Sequence, residues 1–286
     1  MPTFLIVGAA KCGTTSLASY LRSHPAVFVP PAKELYFFTR EDLWEAGVEA
    51  YAAHFADAGD ARAVGEATPD YMFFPWSAAR IAETLPDVRA VVCLRDPTGR
   101  AHSHYLHWRD ARGVERRSFA RAVDDELAGT IEEARERPHE TPPYFGYLAR
   151  GLYLGQLERL VALLGRQRVH VVLLEDLEAD PAAVFAGVCR FLGVDEGFRP
   201  PNLGARENAY LRWRPQWLWH LLLRSKVLER MPQRMVRWLI FSVMPPRADD
   251  APAMDPGVRQ RLAAFYRPHN EALGAWLARD LSHWGT

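Results

Sequence analysis

Short apolar runs alternate along most of the chain with segments of helical periodicity. The runs have the length of strands and lie at residues 4–7, 61–68, 89–96 and 168–176. After the first run, apolar positions at helical spacing are Leu17, Tyr20 and Leu21. Further helices are predicted over residues 75–85, 97–109, 151–164, 181–192 and 255–281. This alternation predicts an α/β fold, with a central parallel sheet covered by helices on both faces.

Residues 205–250 depart from this pattern because they are rich in Trp, Leu and Arg. Residues 206–237 contain eight basic and two acidic side chains, and Pro232 predicts a break between two helices. We interpret the segment as a helical insertion near the C-terminus of a single domain over 1–286. Three interpretations of it stay open: a lid over an acceptor site, a dimer face, or a peripheral membrane contact through 210–243.

The composition is that of an ordinary globular protein, with 49% hydrophobic and 24% charged residues among 286. Lys plus Arg equals Asp plus Glu at 35 each, so no overall charge indicates a nucleic-acid partner. The cysteines are too few and scattered for a disulfide framework or a zinc site; they are Cys12, Cys93 and Cys189. Neither a secretory signal nor an apolar run of about 20 residues is found, so we expect a cytoplasmic location.

The first strand leads into the glycine-rich stretch GAAKCGTTSL. Gly8 and Gly13 have the spacing of the nucleotide-triphosphatase loop G-x-x-x-x-G-K-[ST], but the lysine, Lys11, lies inside the loop. Hydroxyl side chains follow at Thr14, Thr15 and Ser16. A glycine-rich turn between a strand and a helix presents N–H groups to an anion, so these residues favour anion binding over a simple turn.

The third predicted strand ends in a basic residue, Arg95, where a metal-dependent ATPase carries an acid. Asp96 stands before Pro97, and we interpret it as a helix N-cap and not as a metal ligand. Two cations without an evident metal cage suit a ligand that has several separate phosphates and a less charged group to transfer. A P-loop kinase or hydrolase that uses ATP is the alternative, and a nucleotide-binding module without activity is a third hypothesis.

Two segments resemble the cofactor motifs of the sulfotransferases that use 3′-phosphoadenosine 5′-phosphosulfate (PAPS). Their 5′-phosphosulfate loop is similar to FLIVGAAKCGTTSLASYLRSHP, and their 3′-phosphate motif is similar to AVVCLRDPTGRAHSHYLHW, with Arg95 and Ser103 eight residues apart. Three further segments resemble one branch of this family, which includes the heparan sulfate N- and O-sulfotransferases and bacterial relatives. They are KELYFF, GEATPDYMF and, in the last helix, AFYRPHNEALGAWL. The resemblance runs from about residue 3 to 200, resumes near 246, and implies a P-loop-type three-layer fold.

The resemblance implies transfer of a sulfuryl group from PAPS to a hydroxyl, less readily an amine, of a carbohydrate, glycolipid or secondary metabolite. Glu34 would be the general base, and Lys11 would neutralise the leaving oxygen; cationic side chains replace the metal ions of a kinase, so no metal is required. Cofactor contacts are implied for Lys11, Cys12, Gly13, Thr14, Thr15, Ser16, Arg95, Ser103, Tyr153 and Arg247. Substrate contacts are implied for Glu66, Asp70 and Tyr71.

Several of these roles have alternatives. Glu34 could instead pair with Lys33 at the surface, and Glu66 could orient the site or be a structural hydrogen-bonding partner. The heparan-type motif carries a lysine where this chain has Ala67, which puts a glycosaminoglycan acceptor in doubt. The basic loop before the last helix is reduced to one cation, Arg247.

Other polar residues carry weaker signals. Three histidines lie on one predicted helix, at His102, His104 and His107, but their spacings of two and three do not place them on one face. A metal site is therefore not predicted there. Arg150 and Tyr153 resemble a segment that flanks the nucleotide, although they could simply begin a helix.

Overall fold

The structure, a computed structural model, describes residues 1–32, 34–130, 146–205, 211–212, 247–248 and 251–285. Its centre is a five-stranded parallel sheet in the order β2-β3-β1-β4-β5. The strands are Phe4–Gly8 (β1), Val27–Phe28 (β2), Ala63–Ala67 (β3), Arg89–Leu94 (β4) and Val169–Leu173 (β5). Every residue of β1 and β3 is buried, as expected for parallel strands that are covered on both faces.

Helices connect and flank these strands. The described α-helices in the first half are Thr14–Arg22 (α1), Glu41–Glu45 (α2), Val48–Ala52 (α3), Pro75–Thr84 (α4), Pro97–Leu106 (α5) and Phe119–Asp125 (α6). Those in the second half are Tyr153–Leu164 (α7), Leu174–Ala179 (α8), Pro181–Leu192 (α9) and Pro256–Leu277 (α10). Short 3-10 turns lie at Ala53–Ala58, Ala149–Gly151 and Arg166–Arg168, and π-helical turns lie at His107–Ala111 and Glu126–Thr130.

The predicted α/β architecture is confirmed, and the differences concern where elements end. The fourth predicted strand stops at Leu173 because the chain turns into α8, whose first turn carries Glu175 and Asp176 at the positive end of the helix dipole. The helix predicted over 97–109 continues past Leu106 as a π-helical turn. The last helix ends at Leu277, because Ala278 adopts a left-handed conformation with φ 54°.

The predicted helical insertion lies almost entirely outside the described residues. Its described part consists of Ala205 and a two-stranded antiparallel ladder, Leu211–Arg212 (β6) with Arg247–Ala248 (β7). This ladder joins the two ends of the segment, which the sequence pattern did not predict. None of the helices in the described ranges is both long and apolar enough to cross a membrane.

The pairing of β1 with β3 requires a residue without a side chain at Gly65, opposite Phe4. A Cβ at Gly65 would lie 2.4 Å from the carbonyl oxygen of Phe4 and 2.6 Å from its ring. Neither the carbonyl oxygen nor the ring of Phe4 can move without disturbing the sheet, since Phe4 is fully buried at the start of the central strand. The glycine therefore sets how closely these two strands approach.

We expect Gly65→Ala to lower the free energy of unfolding by about 1–3 kcal/mol, because the added methyl group overpacks the sheet. The control is Gly187→Ala in α9, where a Cβ would meet no atom within 4 Å. That substitution should raise the free energy of unfolding by about 0.5–1 kcal/mol, through helix propensity. Urea denaturation of the two variants measures both values, and equal effects would contradict the packing argument.

Candidate active site

The loop between β1 and α1 is shaped by two glycines. Gly13 is the residue before α1 and has φ 84°, and a Cβ there would lie 2.7 Å from Leu174 Cδ1. At Gly8 a Cβ would lie 2.2 Å from Met72 Sδ. Because Gly13 has no side chain, no side-chain cap covers the first N–H groups of α1. The loop therefore has the backbone form of an anion-binding turn.

Backbone hydrogen bonds fix the loop to the sheet. Ala9 N donates to the carbonyl oxygen of Cys93 on β4 at 2.7 Å, and Met72 N donates to that of Val7 at 2.9 Å. Cys12 turns its side chain inward, fully buried, with Sγ 3.7 Å from the hydroxyl of Tyr153. Burial raises the pKa of this thiol, so it stays protonated. A contact from Cys12 to a bound cofactor would therefore come from its backbone.

The structure brings Arg95 beside this loop, because β1 and β4 are neighbours in the sheet. Arg95 Nη1 donates to the carbonyl oxygen of Lys11 at 3.4 Å. Its guanidinium lies over Gly99, where a Cβ would approach Nη2 to 3.0 Å. Ser103 is partly buried one turn further along α5, and residues four apart share one face of a helix. Arg95 and Ser103 thus lie along the same side of α5.

Asp96 is the N-cap of α5, as predicted. Its carboxylate accepts hydrogen bonds from the N–H groups of Thr98 and Gly99, both at 3.0 Å. Tyr153, the first residue of α7, donates its hydroxyl to the carbonyl oxygen of Arg95 at 3.1 Å. Tyr153 is 2% exposed and contacts both Cys12 and Arg95, so its buried hydroxyl links the two predicted cofactor motifs.

Glu34 lies in a tight loop together with Tyr36. Both residues adopt left-handed backbone conformations, with φ 60° and 55°. Tyr36 donates its hydroxyl to Glu34 Oε2, and its N–H donates to Thr68 Oγ1 at 3.4 Å. Burial and the negative charges of Asp70 and Glu34 raise the pKa of the Tyr36 phenol. The phenol therefore remains a hydrogen-bond donor to the carboxylate.

Glu66 supports this loop from the end of β3. Its side chain is 2% exposed and accepts hydrogen bonds from the hydroxyls of Tyr71 at 2.6 Å, Thr68 at 2.7 Å and Tyr51 at 3.3 Å. The N–H of Leu35 is a further donor. Burial raises the pKa of Glu66 to about 7, although these hydrogen bonds oppose the shift. Burial of Glu66 favours the supporting role that the sequence left open for it. Tyr71, which was expected to contact a substrate, is fully buried as well and donates its hydroxyl to Glu66.

Asp70 connects the loop to an arginine beyond it. Its Oδ1 lies 2.6 Å from Arg150 Nη1, and both side chains are largely buried. The Arg150 guanidinium also stacks over the ring of Phe73, 4.3 Å from its centroid. Lys33, the alternative partner of Glu34, lies outside the described residues, and so does the side chain of Arg247.

Sequence reasoning missed Tyr36 and Thr68, which hold the Glu34 loop, and the ion pair of Asp70 with Arg150. The pairs are 32 and 80 residues apart, so no local spacing indicates them. The hydroxyl side chains around GEATPDY were the available signal, since a buried carboxylate needs such donors.

A pH-dependent stability should follow from Glu66. Its folded-state pKa of about 7 lies above the ordinary 4.5, so this group stabilises the fold fully at low pH and loses that contribution as the pH rises through 7. Glu66→Gln removes the titration. The free energy of unfolding of Glu66→Gln relative to wild type should therefore rise by about 2–3 kcal/mol between pH 5 and pH 8. A difference that does not change with pH, measured by urea denaturation, would contradict this.

Comparisons with known proteins agree with this geometry. The family model described as "Sulfotransferase domain" matches residues 1–200. The crystal structure of a sulfotransferase from Alicyclobacillus acidocaldarius is 31% identical and superposes with a TM-score of 0.72, covering 100% of this chain and 99% of that one.

Two curated relatives are longer proteins. Bifunctional heparan sulfate N-deacetylase/N-sulfotransferase 4 of Mus musculus is 27% identical, over 98% of this chain and 30% of its own length. Heparan sulfate glucosamine 3-O-sulfotransferase 3B1 of Homo sapiens is 28% identical, over 68% of this chain and 46% of its own. The chain thus spans less than half the length of each. Because the family model covers more than half of this chain and the bacterial structure matches all of it, the chain belongs to the sulfotransferase family.

Proposed function

We propose that this chain transfers a sulfuryl group from PAPS to a hydroxyl of a carbohydrate, glycolipid or secondary-metabolite acceptor. The observation that carries the proposal is the contact between the two motifs, in which Arg95 Nη1 reaches the backbone of Lys11. It places a cation from the end of β4 beside the anion-binding loop at the end of β1. A nucleotide with phosphates at both 5′ and 3′ positions fits two separate cationic subsites.

The residues present fit PAPS better than ATP with magnesium. An ATPase of this fold holds its metal ion with an acid at the end of a second strand. Here the strand-end residue is Arg95, and both carboxylate oxygens of the next residue, Asp96, accept hydrogen bonds from the N–H groups of α5. When bound, PAPS supplies the activated sulfuryl group, and Arg95 and Ser103 would hold its 3′-phosphate.

The reaction needs charge neutralisation on one side of the transferred group and a base on the other. Lys11 would neutralise the oxygen that departs with the nucleotide. Glu34 would take the proton of the attacking hydroxyl, and the hydrogen bond from Tyr36 fixes the direction of its carboxylate. Glu66 would position this base indirectly, since it accepts the N–H of Leu35 directly beside Glu34.

Relatives of this chain bear on the acceptor. Their names describe sulfotransferases of heparan sulfate, one acting at nitrogen and one at the 3-O position of glucosamine. We propose a hydroxyl acceptor of glycan or glycolipid type, with an amine as the less favoured class. Ala67, which replaces the lysine of the heparan-type motif, argues for an acceptor other than a glycosaminoglycan. Free, buried thiols at all three cysteines are compatible with the reducing, cytoplasmic setting that we propose.

Nucleotide binding tests the donor. We expect 3′,5′-diphosphoadenosine to raise the free energy of unfolding by about 2.7 kcal/mol at a hundredfold excess over its Kd. Adenosine 5′-monophosphate should stabilise less, because it lacks the 3′-phosphate that Arg95 would bind. Thermal unfolding with each nucleotide measures the difference, and stabilisation by ATP with magnesium alone would instead support the kinase or hydrolase alternative.

Substitution of the base tests the mechanism. Glu34→Gln should lower the turnover of labelled PAPS, assayed on a panel of sugars, lipids and phenols, by about 10²–10⁴-fold, because the amide cannot accept the proton. Binding of 3′,5′-diphosphoadenosine should be unchanged. The matched control is Glu45→Gln on the exposed surface of α2, which should leave both unchanged. Full turnover by Glu34→Gln would show that another group is the base.

A further inference from the structure

His104 is a buried histidine of α5 that the proposed mechanism does not use. Its side chain is 5% exposed and packs edge-on against Tyr147, with ring centroids 5.4 Å apart. Trp108, one turn further along the chain, donates its indole Nε1–H to His104 Nε2 at 2.8 Å. An indole N–H is a donor only, so Nε2 must accept and carry no proton.

This hydrogen bond determines the tautomer. Burial and the positive charges of Arg100 and Arg150, followed by those of His107 and Lys11, lower the pKa of His104, so the ring is neutral. A neutral imidazole with an unprotonated Nε2 carries its proton on Nδ1. His104 is therefore a hydrogen-bond donor at Nδ1 and has no lone pair there to act as a base.

The Nδ1 donor has no hydrogen-bond partner within the part of the chain that the structure describes. The same holds for Nε of Arg150, which is also buried. Buried donors are normally paired, and an exception calls for an explanation such as a ligand group. Both groups are N–H donors, so a ligand that pairs with either of them must offer an acceptor atom such as an oxygen.

The surroundings of His104 indicate which oxygen atom of a ligand would accept the hydrogen bond from Nδ1. The charge of Lys11 in the loop reaches the imidazole. The charge of Arg150 also reaches it, and the partner of Arg150, Asp70, lies close enough to Tyr36 to raise the pKa of its phenol. Tyr36 in turn bonds Glu34. His104 is thus within electrostatic reach of the lysine beside the leaving oxygen and of the arginine that is paired on the side of the base.

In an in-line transfer, the sulfuryl group occupies the space between the leaving oxygen and the base. We propose that the Nδ1–H of His104 donates a hydrogen bond to a non-bridging sulfuryl oxygen of PAPS; this rests on the function proposed above. Trp108 then has a positioning role, because its indole N–H keeps the proton of His104 on Nδ1. If His104 had a purely structural role, its imidazole would serve only to accept the hydrogen bond from the indole N–H of Trp108.

Two substitutions separate these roles, because each places an amide group at the position of one of the two ring nitrogens. In His104→Asn, the side-chain amide overlies Nδ1 and retains its donor while losing the partner of Trp108. In His104→Gln, the amide overlies Nε2, so its oxygen accepts from Trp108 while the Nδ1 donor is lost. The two ligands are PAPS and 3′,5′-diphosphoadenosine, which differ only by the sulfuryl group. Affinities are measured by calorimetry without any acceptor.

We expect His104→Gln to bind PAPS about ten- to a hundredfold more weakly than wild type, as for the loss of a hydrogen bond to a charged group. Its affinity for 3′,5′-diphosphoadenosine should stay within about threefold of wild type. His104→Asn should bind both ligands within about threefold of wild type. Trp108→Phe removes the indole N–H that keeps the proton on Nδ1, so it should bind PAPS more weakly than wild type but more tightly than His104→Gln, with its affinity for 3′,5′-diphosphoadenosine unchanged. This variant replaces His104→Asn as the comparison if His104→Asn fails to fold.

Three results would overturn the inference: unchanged PAPS affinity in His104→Gln, an equal loss for both ligands, or a loss in His104→Asn as large as in His104→Gln. A wild-type protein that binds neither ligand would refute the proposed function itself. Binding of both ligands by wild type, with no difference in His104→Gln, would refute only the role of His104.

Discussion

The parallel pairing of β1 with β4 is the contact on which the arrangement of the site depends. The carboxyl ends of parallel strands lie at one edge of a sheet, so this pairing brings the loop after Gly8 and the residue after Leu94 together. The hydrogen bond from Ala9 to Cys93 continues the pairing into the loop. Arg95 can therefore reach the backbone of Lys11, although 84 residues separate them in the chain.

The strand on the other side of β1 carries the second half of the site. At the end of β3, the buried carboxyl group of Glu66 accepts hydrogen bonds from three hydroxyls and from the N–H of Leu35. A carboxyl group this deeply buried is stable only with such donors, and they come from three segments of the chain, at Leu35, at Tyr51 and in the turn that contains Thr68 and Tyr71. The network fixes the loop that presents Glu34, so the residue that we propose as the base is held by the sheet even though it lies on a loop.

The glycine-rich loop and the basic strand end were predictable from the sequence because their residues are local. Gly8, Gly13 and Lys11 belong to one turn, and Arg95 and Ser103 belong to one strand end and the helix that follows. The pairs that hold Glu34, such as Tyr36 with Thr68, were not predictable because they join distant segments. β2 was missed as well, since a strand of two residues leaves no periodicity to detect.

The sequence by itself determined the class of fold, the position of the glycine-rich loop and the basic residue at the end of β4. Each follows from a pattern within about twenty residues, where periodicity and turn chemistry decide the backbone. Only the tertiary structure decided that Glu66 and Tyr71 are buried supports, and that His104 is a neutral donor with its proton on Nδ1. Burial and hydrogen-bond partners decide those properties, and both depend on which distant segments the sheet brings into contact.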